Sequence, residues 1–250
     1  MRHRQPDQAK NLFTDGDAGS GWSRASLPSR VTIAGRYARL EPIELDSHLD
    51  GLSDVVTEPG SEERYRFLGD PVPADRAAVA RWIEGAVASP DRLFWAVIDD
   101  RDGKVVGRQA LVRPEPQHGC IEFGAILWGS RMARTRIATE AFFLMAEHAF
   151  GTLGYRRLEW KCDNRNDASR RAAVRFGFLQ EGLFRQHMVV KGWNRDTAWF
   201  SIVDGDWPSL REACRGWLDP GNFDAEGRQF RTLGDFQLQA RRGTGPCAHR

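Results

Sequence analysis

Residues 120–178 alternate between two kinds of apolar pattern, and this alternation limits the possible folds more than any other feature of the sequence. The strand-like run CIEFGAILWG precedes a helix-like run that begins near Ile137, and the strand-like RRLEWKCD precedes the helix-like NRNDASRRAAVRFGF. Strands repeat apolar residues every second position, whereas helices place them three and four positions apart. Mixed helices and strands of this kind predict an α/β (mixed α+β) domain.

Further helices and hairpins are predicted on either side of this region. Tyr37, Leu40 and Ile43 fit a first strand, and the segments LDSHLDGLSDVV and DRAAVARWIEGAV have apolar residues at helical spacing. The segments FWAVIDDRDGKVVGRQALV and GLFRQHMVVKGWNRDTAWFSIV each contain two β-rich runs around turn residues, as hairpins do, with the second turn expected at GWNR. A short helix, WPSLREACRGWL, is expected after them and before Asp-Pro-Gly.

Single residues mark the ends and irregularities of these elements. Gly124 lies within a predicted strand, where glycine usually indicates a β-bulge or a close backbone approach. Gly154 and Gly177 follow two predicted helices, at the position of a left-handed C-cap. Asn166 or Asp167 is the predicted N-cap of the second of these helices.

Composition divides the 250 residues into one domain with two appendages. Residues 1–30 are polar and rich in glycine, so they are predicted to be a disordered tail, and the part before Ser29 is expected to be dispensable for folding. Residues 31–207 are predicted to form the domain. Residues 208–250 are predicted to form a C-terminal helical extension that ends in about a dozen loose residues.

Charge, cysteine content and hydropathy exclude several functional classes. The 36 Lys and Arg residues nearly balance 34 Asp and Glu residues, so no overall field attracts nucleic acid or an anionic membrane. The four cysteines lack the spacing of a zinc site or a disulfide framework. The sequence has no apolar run of about 18 residues and no signal-peptide pattern. We therefore expect a cytoplasmic monomer or homodimer without metal, nucleic-acid or membrane partners.

Three arginines occur just before the helix that starts near Ile137. A helix N-terminus has unpaired N–H groups and a positive field, so cations there reduce stability unless an anion binds. The backbone N–H groups, the hydroxyl of Thr135 and the guanidinium groups of Arg131, Arg134 and Arg136 together form a phosphate cradle in physical terms. The alternative interpretation is a solvated basic turn on the surface.

The segments IEFGAILWG, SRMARTRIATEA, RRLEWKCD and NRNDASRRAAVRFGF together resemble the coenzyme A core of the GCN5-related N-acetyltransferases (GNAT), in the branch similar to RimJ and RimL. The resemblance covers roughly Arg36 to Trp207. It implies the GNAT fold, in which a central, mostly antiparallel sheet is splayed between its fourth and fifth strands and flanked by helices. It also implies an acetyl-coenzyme A dependent N-acetyltransferase. The acceptor would be a primary amine, on a protein N-terminus or a small molecule, that attacks the thioester directly.

The pyrophosphate loop departs from the family pattern. The usual order is Gln or Arg, two residues, Gly, one residue, then Gly or Ala, whereas this chain has Ala133 and Arg136 at the first and middle places and keeps a small residue, Ala138. Arg136 makes close approach of the backbone to phosphate harder than glycine does, although it adds charge. The coenzyme-binding residues implied by the resemblance are Ile126, Leu127, Arg131, Arg134, Thr135, Arg136, Ile137, Ala138, Thr139 and Asn166.

The resemblance also implies catalytic positions. Glu122 stands where similar enzymes often carry a carboxylate that receives the amine proton, directly or through water; the alternative is an ordinary surface glutamate. Many members have a tyrosine that protonates the leaving thiolate where this chain has Ala173, and Ser169, one helical turn earlier, is the candidate for that role. The alternative interpretation of Ser169 is a helix-capping residue.

Two further roles are expected from the predicted strands. A bulge around Gly124 leaves a backbone N–H that can meet the thioester carbonyl. His187 and Asp196 lie on the last predicted hairpin, which borders the acceptor side in this fold, so they are candidate substrate-binding residues. A non-catalytic acyl-coenzyme A sensor of the same fold is the alternative function.

Overall fold

Eight strands form one sheet in the computed structural model, which describes residues 23–243 of the chain. The strands are β1 Ile33–Ala34, β2 Ala38–Pro42, β3 Arg92–Asp99, β4 Lys104–Glu115, β5 Cys120–Trp128, β6 Arg157–Asp163, β7 Leu179–Val190 and β8 Trp193–Val203. They lie in the order β1-β2-β3-β4-β5-β6-β8-β7, and every neighbouring pair is antiparallel except β5 with β6. This arrangement confirms the predicted mixed fold with a mostly antiparallel sheet.

Helices cover both faces of the sheet. Within residues 23–243 they are α1 Leu45–Thr57, α2 Ser61–Tyr65, α3 Arg76–Val87, α4 Arg136–Glu147, α5 Asp167–Phe176, α6 Trp207–Leu218 and α7 Leu233–Gly243. A π-helical turn, His148–Thr152, extends α4, and a 3₁₀ turn, Pro220–Asn222, follows α6.

The sheet separates two apolar cores because successive side chains of a strand point to opposite faces. On β3, Trp95 and Val97 enter the larger core, to which α4, α5 and α6 contribute. Phe94, Ala96 and Ile98 enter the smaller core with α1 and α3. The helices that carry the predicted phosphate cradle and Ser169 therefore share one face of the sheet.

The local signals of the sequence correspond to the observed ends of the elements. Asn166 caps α5, since its side chain accepts the backbone N–H of Ser169 at 3.0 Å, and Gly177 ends that helix in a left-handed conformation with φ of 95°. The β7–β8 hairpin turns at Lys191 and Gly192, both with positive φ, as a two-residue turn requires. The turn thus begins one residue before the predicted GWNR.

The last residues of the predicted N-terminal tail are docked on the fold. The N–H of Ala25 donates to the carbonyl of Pro116 at 3.1 Å, and that of Ser26 donates to Leu153 at 2.8 Å. Ala25 is buried, and the indole of Trp95 donates to the carbonyl of Val31. The boundary predicted at residue 30 is therefore too late, and the expectation of a dispensable tail is restricted to residues 1–22, which lie outside the described residues.

The C-terminal extension contains more structure than predicted. Helix α6 ends before Asp219 as expected, but α7 continues to Gly243, where loose chain was predicted. Leu233 and Ala240 are buried and Phe236 packs against Gly216 of α6, so α7 is stabilised mainly by tertiary contacts. Residues 244–250, which include the fourth cysteine, lie outside the described residues.

A buried carboxylate joins the N-terminal strands to α4. Glu140, which is 5% exposed, accepts the backbone N–H groups of Arg36, Tyr37 and Ala38 at 2.9, 2.6 and 2.7 Å. Gly35 is required beside it, because a Cβ atom there would lie 2.5 Å from a carboxylate oxygen of Glu140. The turn between β1 and β2 is thereby fixed over the first turns of α4.

We expect Glu140→Ala to lower the free energy of unfolding by about 2–4 kcal/mol, because it leaves three backbone donors without their acceptor. Urea denaturation monitored by circular dichroism measures this change. Glu84→Ala, at an exposed position of α3, is the matched control and is expected to change the free energy of unfolding by no more than about 0.5 kcal/mol. Equal stabilities of the two variants would contradict a structural role for the Glu140 carboxylate.

Candidate active site

Helix α4 begins without a side-chain cap. Thr135 is the N-cap residue, but its hydroxyl donates to the carbonyl of Met132 at 2.7 Å and accepts none of the first N–H groups of the helix. The N–H groups of the first turn have no partner within the helix, so this end carries an uncompensated positive field. Such a helix end favours binding of an anion.

A cavity of about 910 Å³ opens at this helix end. Its walls come from the first turn of α4, from one face of α5, from Tyr37 and from the C-terminal extension. The residues that line it are Tyr37, Arg101, Trp128, Ala133, Arg134, Thr135, Arg136, Ile137, Ala138, Thr139, Ala168, Arg171, Ala172, Arg175, Phe176, Trp217, Phe223, Glu226, Gly227, Arg228 and Gln229.

The cavity is strongly basic, with six arginines and one glutamate in its lining. Arg101 is paired with Asp99, and Arg228 with carboxylates of its own loop. Arg134 and Arg171 have no ion-pair partner in the part of the chain that the structure describes. Positive charge without a protein counterion therefore faces the open helix end.

Two other arginines of the cavity are held by aromatic rings. The guanidinium carbon of Arg136 lies 4.8 Å from the centre of the Tyr37 ring and 4.7 Å from that of Phe223. Arg175 donates to the hydroxyl of Thr139 at 3.0 Å and lies 5.1 Å from the ring centre of Trp217. The surrounding side chains desolvate Arg175 and lower its pKa, but an arginine in a protein stays protonated.

A β-bulge interrupts β5 beside the cavity. Arg108 of β4 pairs with Leu127, and Ala110 pairs with Gly124, so residues 125 and 126 together face a single residue of β4. Ala125 has φ of 51°, the left-handed conformation that a bulge residue often adopts. The bulge predicted around Gly124 is thus present.

A buried arginine fixes the peptide at this bulge. Arg108 is 1% exposed and donates to the carbonyl of Ala125 at 2.8 Å and to the carboxylate of Asp70 at 2.9 Å. Its guanidinium carbon lies 4.0 Å from the ring centre of Trp82. Three partners around one buried cation hold the carbonyl of Ala125 in a single orientation.

Strands β5 and β6 separate just beyond Glu122. Their ladder consists of three pairs, which join Cys120–Glu122 to Arg157–Glu159, and neither strand pairs with the other after that point. The predicted splay between the fourth and fifth strands of the sequence analysis therefore corresponds to β5 and β6. The last pair before the opening is Glu122 with Glu159.

The carboxylate of Glu122 lies between two cations at this opening. It is 7% exposed, forms an ion pair with Arg113 and lies 3.3 Å from the Nζ of Lys161. Burial lowers the pKa of Lys161, while a hydrogen bond to Glu159 at 2.7 Å acts in the opposite direction. Within the described residues, both of these cations contact the Oε2 atom of Glu122, so the carboxylate is held in ion pairs. Glu122 is thus buried at the opening of the sheet, and its catalytic role stays a prediction.

Ser169 lies on α5 with its hydroxyl against β6. Its Oγ atom accepts the indole N–H of Trp160 at 2.9 Å. An indole nitrogen only donates, so this bond does not use the proton of the Ser169 hydroxyl, which also lies within hydrogen-bond reach of the Cys162 thiol. The side chain of Asn166, and not that of Ser169, caps the helix. Burial raises the pKa of the Cys162 thiol, which neighbours Ser169.

His187 and Asp196 lie on the β7–β8 hairpin, away from the cavity lining. The Nδ1 atom of His187 is 2.9 Å from the hydroxyl of Thr197, and its ring packs against Trp199. Asp196 accepts the backbone N–H of Gln186 at 2.7 Å, and this hydrogen bond lowers its pKa. The carboxylate of Asp196 thus supports the hairpin backbone.

The structure brings together part of the predicted coenzyme site. The predicted residues that line the cavity are Arg134, Thr135, Arg136, Ile137, Ala138 and Thr139. Ile126 is half-buried against the larger core and the side chain of Leu127 is buried in the smaller one, and neither residue lines the cavity. Arg131 pairs instead with Asp99 at 3.2 Å and Asp102 at 2.8 Å, outside the cavity lining.

Several lining residues were missed by the sequence analysis. Arg171 and Arg175 are four positions apart on α5, so a helical projection of that segment identifies them as neighbours on one face. Trp217 and Phe223 have no such local signal, because they follow the predicted domain in the chain. Arg108 was also missed, since an arginine within a strand pattern usually indicates an exposed position.

Neither a metal centre nor a membrane-spanning helix is apparent among residues 23–243. No group of three or more His, Cys, Asp or Glu side chains there has an arrangement that could hold a metal ion. None of the helices described is both long and apolar enough to cross a membrane. Cys120, Cys162 and Cys214 are free thiols.

Comparison with known proteins gives consistent matches. A family model described as an acetyltransferase (GNAT) domain matches residues 38–179. The crystal structure of a GCN5-related N-acetyltransferase from Brucella melitensis is 50% identical, covers 87% of this chain and 99% of its own, and superposes with a TM-score of 0.86. A Salmonella typhimurium acetyl transferase that modifies the N-terminal serine of ribosomal protein L7/L12 shares the fold at 17% identity and a TM-score of 0.60, over 69% of this chain and 99% of its own.

A match among curated proteins is shorter. The uncharacterized N-acetyltransferase YoaA of Bacillus subtilis is 34% identical over 70 residues, which are 28% of this chain. The chain thus matches 40% of the length of that curated relative.

Proposed function

Since the chain belongs to the GCN5-related N-acetyltransferase (GNAT) family, we propose that it transfers an acetyl group from acetyl-coenzyme A to a primary amine. The observation that carries this proposal is the basic cavity at the uncapped start of α4. Its charge and its exposed N–H groups suit the pyrophosphate of the coenzyme. The size of the cavity, about 910 Å³, suits a ligand as large as a nucleotide with an attached arm.

The opening between β5 and β6 is the proposed place of acetyl transfer. Acetyl-coenzyme A supplies a thioester whose carbonyl carbon is attacked by the amine. The proposed donors to the negative charge that develops on that carbonyl oxygen are backbone N–H groups of the bulge at Ala125, whose carbonyl is held by Arg108. In this proposal Glu122 receives the proton from the amine and later releases it to solvent, while Ser169 gives its hydroxyl proton to the departing thiolate and regains one from solvent.

The proposed acceptor is an amine on a protein N-terminus or on a small molecule. An α-amino group has a pKa near 8 and a lysine side chain one near 10.4, so the former is neutral far more often at neutral pH. An acceptor that is already largely neutral needs little help from a protein base, which favours the α-amino group. His187 and Asp196, on the hairpin beyond β6, are proposed to border the acceptor.

A non-catalytic acyl-coenzyme A sensor is the second candidate. The observation that favours it is the ion pairing of Glu122 with Arg113 and Lys161, since a carboxylate in such contacts also has a purely structural explanation. A sensor needs the cavity but not a base.

Thiol release from acetyl-coenzyme A, measured with a panel of amines and short peptides, separates the two candidates. Calorimetry with coenzyme A is run on the same preparation. Binding together with amine-dependent thiol release supports the enzyme. Binding without thiol release above the rate without amine supports the sensor, and the absence of binding contradicts both.

We expect Arg134→Ala to weaken coenzyme A binding by about tenfold to a hundredfold, the equivalent of one charge-assisted contact of about 1.5–3 kcal/mol. Pantetheine, which lacks the pyrophosphate, is expected to bind both proteins equally. Arg81→Ala, on the exposed side of α3, is the matched control. Equal losses for both ligands in calorimetry would assign Arg134 to the fold and not to the phosphate.

A further inference from the structure

The C-terminal wall, which we define as residues 217–231, lines the cavity together with α4 and α5. It contributes Trp217, Phe223 and residues 226–229 to the lining. All of these residues follow position 179, where the match to the family model ends. Six of the 21 residues that line the cavity thus come from a segment beyond the family-model match.

The C-terminal wall is a preformed structure. Asn222 is buried, and its side-chain amide donates to the carbonyls of Trp217 and Arg231, both at 3.1 Å, while its oxygen accepts the N–H of Arg231 at 3.0 Å. The indole of Trp217 donates to Gln229 at 2.7 Å, and Phe223 forms a β-bridge with Gln229. The rings of Trp217 and Phe223 contact each other edge to face. These bonds order the wall independently of any ligand.

Two aromatic rings of the C-terminal wall each contact one arginine of the cavity lining. Phe223 and Tyr37 enclose the guanidinium of Arg136, the first residue of α4. Tyr37 also contacts the C-terminal wall, because its hydroxyl donates to the carbonyl of Leu218 at 3.0 Å. Trp217 contacts the guanidinium of Arg175, which also donates to Thr139 of the first turns of α4.

The position of Arg136 at the start of α4 explains why its guanidinium needs to be held by the two rings. A long cationic side chain at the start of a helix is free to fold over the exposed N–H groups or to extend into solvent, and it loses rotamer entropy when a ligand fixes it. The two rings hold the guanidinium beside the cavity, so the N–H groups of the first turn remain open. A charge that is oriented beforehand binds an anion with less loss of entropy.

We propose that the C-terminal wall is part of the coenzyme site and that Phe223 and Trp217 are positioning residues, which orient Arg136 and Arg175 toward the phosphates of the coenzyme. The inference rests on the proposed function, because it takes the anion at the start of α4 to be the pyrophosphate. The wall recognises the nucleotide half of the ligand through these arginines, and it makes no contribution to the pantetheine arm.

Phe223→Leu tests the inference, because it keeps an apolar side chain of similar size and removes the aromatic face. We expect the dissociation constant of coenzyme A to rise about fivefold, the equivalent of one cation–π contact of about 1 kcal/mol. Pantetheine affinity and the unfolding temperature are expected to stay unchanged. Phe230→Leu, the same substitution at a ring of the same segment that is 68% exposed, is the matched control.

A second measurement separates positioning from general support of the fold. In an Arg136→Ala background, Phe223→Leu is expected to have no further effect on coenzyme A binding, because the arginine that it orients is gone. Unchanged coenzyme A affinity in Phe223→Leu, or equal losses for coenzyme A and pantetheine, would overturn the inference and leave the proposed function intact. A wild-type protein that does not bind coenzyme A would overturn both.

Discussion

Glu122→Gln is expected to lower the turnover number by about 10²–10⁴-fold, the usual contribution of a positioned acid or base. The glutamine keeps the shape of the side chain but accepts no proton. Coenzyme A affinity is expected to stay within twofold of the wild type, because Glu122 lies outside the cavity lining. The effect thus belongs to the chemical step and not to binding.

The pH–rate profile gives this prediction a second readout. Without a base in the protein, the reaction depends on amine that is already neutral, so the activity optimum moves upward toward the pKa of the acceptor amine. Glu159→Gln is the matched control, since it removes the other carboxylate next to Lys161. If Glu122→Gln has the rate and pH profile of the wild type, water or another residue is the base. If Glu159→Gln reproduces the whole loss, the charge around Lys161 matters and proton transfer to Glu122 does not.

Ser169→Ala is expected to lower the turnover number by a similar factor of about 10²–10⁴ and to leave the pH optimum in place, because a serine hydroxyl does not titrate in this range. Trp160 loses its hydrogen-bond acceptor in this variant, and a small loss of stability of about 1 kcal/mol is expected. Calorimetry with coenzyme A is expected to give an unchanged affinity. The kinetics and the binding are measured with the best amine from the panel.

Two further experiments test whether the effect of Ser169→Ala comes from the loss of the hydroxyl proton. Ser209→Ala changes a serine near the start of α6 that hydrogen-bonds within its own helix, and it serves as the control for the substitution itself. Acyl donors with a more acidic thiol need less help in leaving, so they are expected to recover activity with Ser169→Ala. An equal loss for all donors, or a loss of coenzyme A binding, would mean that Ser169 supports the structure of α5 and does not protonate the thiolate.

Local signals predicted the elements of the fold well. The cap at Asn166, the left-handed Gly177 and the bulge beside Gly124 each depend on a few neighbouring residues, and such interactions can be read from a short segment. The uncapped start of α4 and the arginines beside it likewise depend only on neighbouring residues. The part of the cavity lining formed by residues 134–139 could therefore be predicted before the fold was known.

Contacts between distant parts of the chain could not be predicted in this way. The sequence presents Arg131, Arg134 and Arg136 as equivalent cations, but Asp99 and Asp102 of another hairpin pair with the first of them. No feature of the neighbouring sequence distinguishes Arg131 from Arg134 and Arg136. Helix α7 was missed for a related reason, because its few apolar residues are meaningful only once α6 is in place.

The enclosure of Arg136 has a consequence for the order of folding. Tyr37 bonds to a carbonyl 181 positions later in the sequence, and its backbone bonds to Glu140, 103 positions later. Contacts of such long range form late, because a large loop must close before they stabilise anything. During synthesis on the ribosome, β5 and α4 are able to pair with their neighbours well before Phe223 emerges. We therefore expect the nascent chain to acquire its sheet first and a complete rim around the cavity last, so a ligand of the cavity stabilises the finished protein and has little influence on the early steps of its folding.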